Sequence, residues 1–412
     1  MNDYTQLIPK MLSGNKLIKE LSVIPEYVPS IINRDISERL VALTNIYDIY
    51  IPSKMSIEIY NKLYLALYHS LQKKSSNLAL SQKYENYKKI LLRPSNSIIG
   101  GADSFTIIGT SGIGKSSAIN RAIHIIEKKW NPDNMELDTK VVPFVNVQCP
   151  FDSSVKGLAI EILLKIDKML GINYYNQNNA YKILKRCTTD VLIGQISTIA
   201  INNIGVLVVD EIQNVANSKN GKNLIGFLTQ LINNSGISIC MIGTPESIFF
   251  FEGAPHLARR TMGLNYTTLP YDEYFKNMCK ILFNYQYTST KELDDNLSNW
   301  LYEHSSGNIS IIISLVHDAQ EIAIMSGRDS LDIQSLTEAY DNRIGMFHKY
   351  IDSVKIVHQN NKIRNNSKNI VNKNNKTNLQ ESLVLLLQDA KKQNVNFIDI
   401  LKKHITVEEV KI

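Results

Sequence analysis

Residues 105–123 read FTIIGTSGIGKSSAINRAI, with three glycines packed between a β-branched run and a run of helical character. The spacing from Gly109 to Ser116 is G-x-x-x-x-G-K-[ST], with a strand expected before it and a helix after it. Gly109, Gly112 and Gly114 allow backbone angles that residues with a Cβ resist, so the loop can curl its N–H groups around an anion. A helix starting near Lys115 adds its dipole and unpaired N–H groups. Gly109, Thr110, Ser111, Gly112, Ile113, Gly114, Lys115, Ser116 and Ser117 are therefore the expected nucleotide-binding residues. Lys115 would reach the β- and γ-phosphates of ATP and the Ser116 hydroxyl would bind Mg²⁺.

A chain of 412 residues has room for two or three domains, and 44% hydrophobic with 20% charged residues is ordinary globular composition. No apolar run in the sequence is expected to reach the ~18 residues of a membrane span. The N-terminus has no signal-peptide core. The four cysteines are scattered without metal-ligand spacing, which suits reduced thiols in a cytoplasmic protein. The net charge of +6 is carried by 355–377, which hold six Lys or Arg and no acid; elsewhere basic and acidic residues balance at 39 each. Nucleic-acid binding would thus need a local patch or many copies of the chain.

The fold class expected is α/β, a P-loop ATPase with a parallel, doubly wound sheet. Residues 1–95 read as a small, mostly helical domain. Residues 96–270 alternate strand and helix, with strands in SFTIIG, VVPFVNV, GVLVVDE, ISICMIG and NYTTLP. Residues 271–352 turn helical, as a lid. A basic, Asn-rich linker follows at 353–378, and 379–412 form an amphipathic tail. In that tail Leu379, Leu383, Leu386, Leu387 and Ala390 make one helical stripe, and Phe397, Ile398, Leu401 and Ile405 another.

The second half of the site is expected at two other strand ends. LVVDEIQN is an apolar strand ending in two acids. Asp210 would hold the Mg²⁺ shell, and Glu211 would orient and polarise the attacking water. In MIGTPE, Thr244 would meet the γ-phosphate or the lytic water. Arg259 and Arg260 have no acid within six residues; either is a candidate finger entering a neighbouring subunit's site.

Together the P-loop, LVVDEIQN, MIGTPE, the arginine pair and SSGNISIIISLVHDAQEIAIMSG resemble the AAA+ transposition regulators called TnsC and TniB, over about residues 95–345. The match is closer to the TnsC type of Tn-seven-like transposons. The resemblance implies an ATP-bound ring or helical oligomer, a hexamer or heptamer, on double-stranded DNA. It also implies partners: a target-selection protein, for which the N-terminal domain is the expected docking site, and transposase subunits, for which the tail is. The lid helix lacks the arginine that many AAA+ proteins carry at its start, which points to slow ATP turnover.

Candidate DNA contacts are Lys156, in the first turn of a helix capped by Asp152 or Ser153, and Lys182, Lys185 and Arg186 at helical spacing. No base-reading motif appears, so binding would be sequence-tolerant. The competing readings are a helicase loader or origin-type AAA+ ATPase, and an ATP-driven signalling switch without DNA binding. A secretion-type ATPase would need a membrane span.

Overall fold

The computed structural model describes residues 3–76, 81, 104–130, 140–171, 184, 186–215, 221–252, 263–290 and 295–345. Met1–Asn342 form one compact unit, and Arg343–Ile412 a second. Within the second unit only the first three residues are described, so the linker and the amphipathic tail lie outside the described residues.

Five strands form the sheet: β1 (Phe105–Gly109), β2 (Val142–Gln148), β3 (Ile204–Asp210), β4 (Ser238–Gly243) and β5 (Leu264–Tyr266). Their order is β2-β3-β4-β1-β5, and every pairing is parallel. Strands covered on both faces need no polar alternation, and every position of β1 and β4 is buried, most of them apolar. This order, with the P-loop following β1, is the fold of an AAA+ P-loop ATPase.

The sheet is covered on both sides. Leu207, Val209 and Met241 pack against α5 (Val155–Leu170), α6 (Thr189–Asn203) and α7 (Gly221–Ser235). The intervening Val206, Val208 and Ile242 face the other way, onto α3 (Lys54–Lys74) and α4 (Lys115–Lys128). One covering helix therefore comes from the N-terminal region: Ile59, Leu63 and Leu67 of α3 are fully buried. At the far end of α3, the buried Lys74 ammonium donates to the carbonyls of Ala200 and Ile201 at 2.9 and 2.5 Å, satisfying the last turn of α6.

The lid comprises α9 (Glu273–Asn284), α10 (Asp295–Ser305), α11 (Ile309–Ser326) and α12 (Ile333–Ala339). Helix α11 is 18 residues long and apolar enough, by length and composition, to cross a membrane. That corrects the expectation that no apolar stretch reaches this length. Ile312, Leu315, Val316, Ala319 and Ala323 are buried, as are the polar Asp318 and Gln320. The Gln320 side chain accepts from the backbone N–H of Tyr287 at 3.1 Å.

The N-terminal region also grips the lid. Tyr27 packs on Tyr285 and Tyr287 and donates to the Gln286 carbonyl at 2.8 Å. Arg39, on α2 (Ile36–Leu43), donates to the Tyr287 carbonyl at 2.9 Å through Nε and pairs with Asp329 through Nη2. Burial opposes charge on Asp329, but hydrogen bonds from Arg39 and Ser289 hold its carboxyl below the usual range. Arg39→Met should cost about 2–3 kcal/mol, read as a lower urea midpoint, because a largely buried pair loses one partner. A depressed carboxyl stabilises the fold above its unfolded pKa and ceases to do so as pH falls through the folded value. The stability gap between wild type and Asp329→Asn should therefore be full at neutral pH and close below about pH 4.

Candidate nucleotide site

The loop after β1 is pinned from inside. Ile113 is buried, and its side chain fills the space beside Gly109, where a Cβ would meet it at 2.8 Å. Gly112 and Gly114 have φ of +80° and +88°, the left-handed region that side chains resist. A Cβ at Gly112 would also come within 2.6 Å of Asn308 Oδ1. The loop and the lid meet there: Asn308 Nδ2 donates to the Ser111 carbonyl at 2.9 Å, and Ser310 N to the Gly112 carbonyl at 3.0 Å. Asn308 is also the N-cap of α11, accepting from Ser310 N.

Lys115 begins α4 and is nearly buried. Its ammonium donates to the carbonyls of Gly109 at 2.6 Å and Thr110 at 2.9 Å. Burial lowers its pKa, against the opposing pull of Asp210, Glu211 and Glu246. Ser116 Oγ donates to Asp210 Oδ2 at 2.8 Å, joining the P-loop to the tip of β3. Ser116 and the neighbouring Ser117 are exposed.

Glu211 follows Asp210 with φ +58°, a conformation that costs a non-glycine residue about 1 kcal/mol or more. Its N–H donates to Asp210 Oδ1 at 2.8 Å, and its carboxylate accepts from Gln213 Nε2. The other end of the same amide accepts from Thr244 N at 3.3 Å. Thr244 stands one residue past β4, and its hydroxyl donates to Glu246. That bond holds the Glu246 carboxyl below its ordinary range.

These groups line a cavity of about 370 Å³ that includes Ser111, Lys115, Ser116, Asp210, Glu211 and Thr244. A second cavity of about 370 Å³ shares with it Tyr47, Gly114, Ser117, Ile309 and Ile313. Tyr50, Ile51, Arg121, Tyr274 and Met278 line the second cavity, so the N-terminal region, α4 and the lid all contribute to it. Arg121 is spoken for: it donates to the carbonyls of Leu21 and Glu20 at 3.1 and 2.9 Å.

The predicted P-loop residues, Asp210, Glu211 and Thr244 thus lie around one cavity or its immediate border. Arg259, Arg260, Lys182 and Lys185 lie outside the described residues. Arg186 is helical and exposed. The cap of α5 is Ser154, whose hydroxyl accepts from Gly157 N at 3.1 Å. That corrects the expectation of Asp152 or Ser153: Asp152 instead accepts from Ser154 N, and Ser153 is buried with φ +51°. Lys156, in the first turn of α5, lines a pocket of about 570 Å³ with Ser154, Thr189, Asp190, Asn223 and Gln230. The first turns of α5 and α6 open on that pocket together.

Gln213, Glu246, Tyr47 and Asn308 were not anticipated. DEIQN and TPE contain the first two, each two residues beyond the acid pair or the threonine that drew attention. Asn308 carries a legible cap signal, Asn immediately before the apolar run of α11. Nothing in the residues around Tyr47 marks it.

Residues 85–267 match the family model described as bacterial TniB protein. Over that span the chain is similar to the TniB family. No curated protein matches the chain. Among solved structures it is similar to the Aeropyrum pernix ORC1 protein in complex with DNA, at 14% identity over 65% of this chain and 65% of that chain, TM-score 0.42. It is similar to Drosophila ORC bound to DNA at 12% identity over 83% and 72%, TM-score 0.46. Domain III of the Thermotoga maritima replication initiation protein DnaA is similar at 12% identity over 77% and 98%, TM-score 0.36. The chain spans about two thirds of the length of the first of these.

The site predicts a trade between binding and stability. Lys115→Met keeps the buried stem and removes an ammonium that burial disfavours. Its melting temperature without ligand should equal or exceed that of wild type. The rise in melting temperature that ATP produces in wild type should vanish, since a charge-assisted phosphate contact is worth ~1.5–3 kcal/mol. Differential scanning fluorimetry with and without ATP checks both.

Proposed function

We propose that this chain is an ATP-hydrolysing regulator of DNA transposition that works as an oligomer on double-stranded DNA. The observation that carries the reading is the Ser116–Asp210 contact beside the P-loop, within the segment of the TniB family. A hydroxyl and a carboxylate 2.8 Å apart next to a phosphate cradle suit a divalent cation. Ser116 and Asp210 would hold Mg²⁺, which would supply charge neutralisation to the bound phosphates.

The remaining work falls to the protein's own groups. The P-loop N–H groups and Lys115 bind the phosphates of ATP. Glu211 exchanges its Gln213 bond for the attacking water and accepts the proton. Thr244 orients the γ-phosphate or that water. Arg259 or Arg260 of a neighbouring subunit neutralises charge developing on the γ-phosphoryl group. The lid helix offers Asn308 and Ser310 to the P-loop, with no guanidinium in its first turns, and this supports slow turnover.

Duplex DNA is the proposed polyanion for Lys156, Lys182, Lys185 and Arg186. Two helix N-termini opening on the Lys156 pocket favour phosphate there, without reading sequence. Ile24, Ile36 and Val41 are more than half exposed in the N-terminal region, which supports a protein-binding role for residues 1–95 toward a target-selection protein. Residues 379–412 are proposed to recruit transposase by helix-in-groove docking. The chain is proposed to act in the cytoplasm.

Glu211→Gln should keep ATP affinity and lower hydrolysis by about 100-fold or more, because the amide is a poor base. The DNA-bound oligomer should then persist, as seen by electron microscopy with ATP, Mg²⁺ and duplex DNA. A variant that hydrolyses ATP at the wild-type rate would remove the assigned role of Glu211.

Lys156→Glu should weaken duplex binding and reduce the salt slope by roughly one for each phosphate it no longer neutralises, with ATP affinity in the absence of DNA unchanged. Fluorescence anisotropy between about 50 and 200 mM salt measures this. An unaltered slope would move the DNA surface elsewhere.

A further inference from the structure

Glu246 is exposed and stands two residues beyond Thr244, in the turn that joins β4 to α8 (Ser247–Glu252). Ser247 N closes the turn by donating to the Thr244 carbonyl at 2.9 Å. Across it the Thr244 hydroxyl donates to the Glu246 carboxylate. That bond, helped by the backbone and by the Lys115 charge, holds the carboxyl below its ordinary range, so Glu246 stays ionised and can only accept. A threonine hydroxyl has one proton to give. With that proton on Glu246, Thr244 Oγ1 has only lone pairs to offer the rest of the site.

Thr244 is fixed through its backbone as well. Its N–H donates to Gln213 Oε1 at 3.3 Å, and the Nε2 end of the same amide donates to the Glu211 carboxylate. Gly243 permits this approach, because a Cβ there would meet Ile212 Cγ2 at 2.7 Å and Gln213 Oε1 at 3.2 Å. Gln213 lies in the short 3₁₀ turn Ile212–Val215. Asn214 anchors that turn: its N–H donates to the Glu211 carbonyl at 3.0 Å, and its Nδ2 donates to the Cys149 carbonyl at 2.9 Å. One amide thus spans the gap between Thr244 and Glu211, and all three residues line the same cavity as Lys115.

We propose that Glu246 is a positioning residue: by taking the Thr244 proton it makes Thr244 an acceptor, which holds the water that attacks ATP rather than the γ-phosphate. Phosphate oxygens are themselves acceptors, so they cannot bond to a hydroxyl whose proton is already given. Water can. An attacking water aims a lone pair at phosphorus and leaves two protons to be held. One points at Thr244 Oγ1 and stays on the new phosphate. The other passes to Glu211 as the water oxygen bonds to the γ-phosphorus and the bond to the bridging oxygen breaks, releasing ADP. Without Glu246 the Thr244 hydroxyl regains a proton to donate, and the water loses the acceptor that turns it. The inference rests on the functional reading above and assigns Thr244 one of the two roles open to it.

The test uses the purified full-length chain, ATP turnover with and without duplex DNA, and equilibrium affinity for ADP and for a non-hydrolysable ATP analogue. Glu246→Ala should lower kcat by about ten- to a hundredfold, the range in which misplacing a reacting group falls, with both affinities unchanged. Glu246→Gln keeps an oxygen that can accept the hydroxyl proton and should retain most of the rate, which a role through charge alone would not allow. Thr244→Val keeps the shape and removes the hydroxyl. It should lower kcat and leave the ratio of analogue to ADP affinity unchanged, and adding Glu246→Ala to it should cost nothing further. Wild-type turnover in Glu246→Ala overturns the proposal and leaves the functional reading standing. So does a selective loss of analogue affinity in Thr244→Val, which puts the hydroxyl on the γ-phosphate. Additive losses in the double variant, or a Glu246→Gln as slow as Glu246→Ala, overturn it too, because Glu246 then acts by a route other than the Thr244 proton. A wild-type chain that turns over no ATP, with or without duplex, overturns the functional reading first and this inference with it.

Discussion

The parallel pairing of β1 with β4 on one side and β5 on the other is the constraint from which the rest follows. Leaving β1, the chain crosses to β2 at the far edge, so the crevice between β1 and β4 opens at a switch in strand order. The P-loop stands on one side of that crevice and Thr244 on the other. Strand β3, paired with β4, brings Asp210 to the same edge, within a hydrogen bond of Ser116. Three strand ends remote in sequence become one site through register alone.

That site is unusually acidic for its purpose. Asp210, Glu211 and Glu246 surround the buried Lys115 ammonium, and all three carboxylates are tied to neutral donors, Ser116, Gln213 and Thr244. The arrangement suits a ligand that arrives as a cation–phosphate pair better than one that arrives as a bare anion. It also shows why neutral side chains are prominent here: they hold carboxylates without cancelling their charge.

The α/β class, the strands and the gathering of residues at the strand ends were legible because each depends on local residues: glycines that curl, apolar runs that pair, acids at a tip. Three features were not. The covering role of α3 depends on Ile59, Leu63 and Leu67 meeting a sheet whose nearest strand begins 31 residues after the helix ends, and amphipathic spacing does not say against what. The cap of α5 was misassigned by one or two residues because Asp152, Ser153 and Ser154 are all competent acceptors, and only the buried, left-handed Ser153 decides between them. The roles of Gln213 and Asn214 arise from a 3₁₀ turn that points neighbouring side chains in opposite directions, which spacing rules for helices and strands do not cover.

The grip of the N-terminal region on the lid has a consequence for how the chain is made. Arg39 and the Tyr287 carbonyl that it contacts are 248 residues apart, and Tyr27 and Gln286 are 259 apart. On the ribosome, at ~5–20 residues per second, the first 60 residues wait some tens of seconds before these partners emerge. The sheet and α3 can join earlier, because α3 needs only the strands. The second cavity, walled by Tyr50 on one side and by Tyr274 and Ile313 on the other, is complete only once the lid has emerged. A complete cavity is therefore something that the nascent chain acquires late, after the lid has been synthesised and clasped.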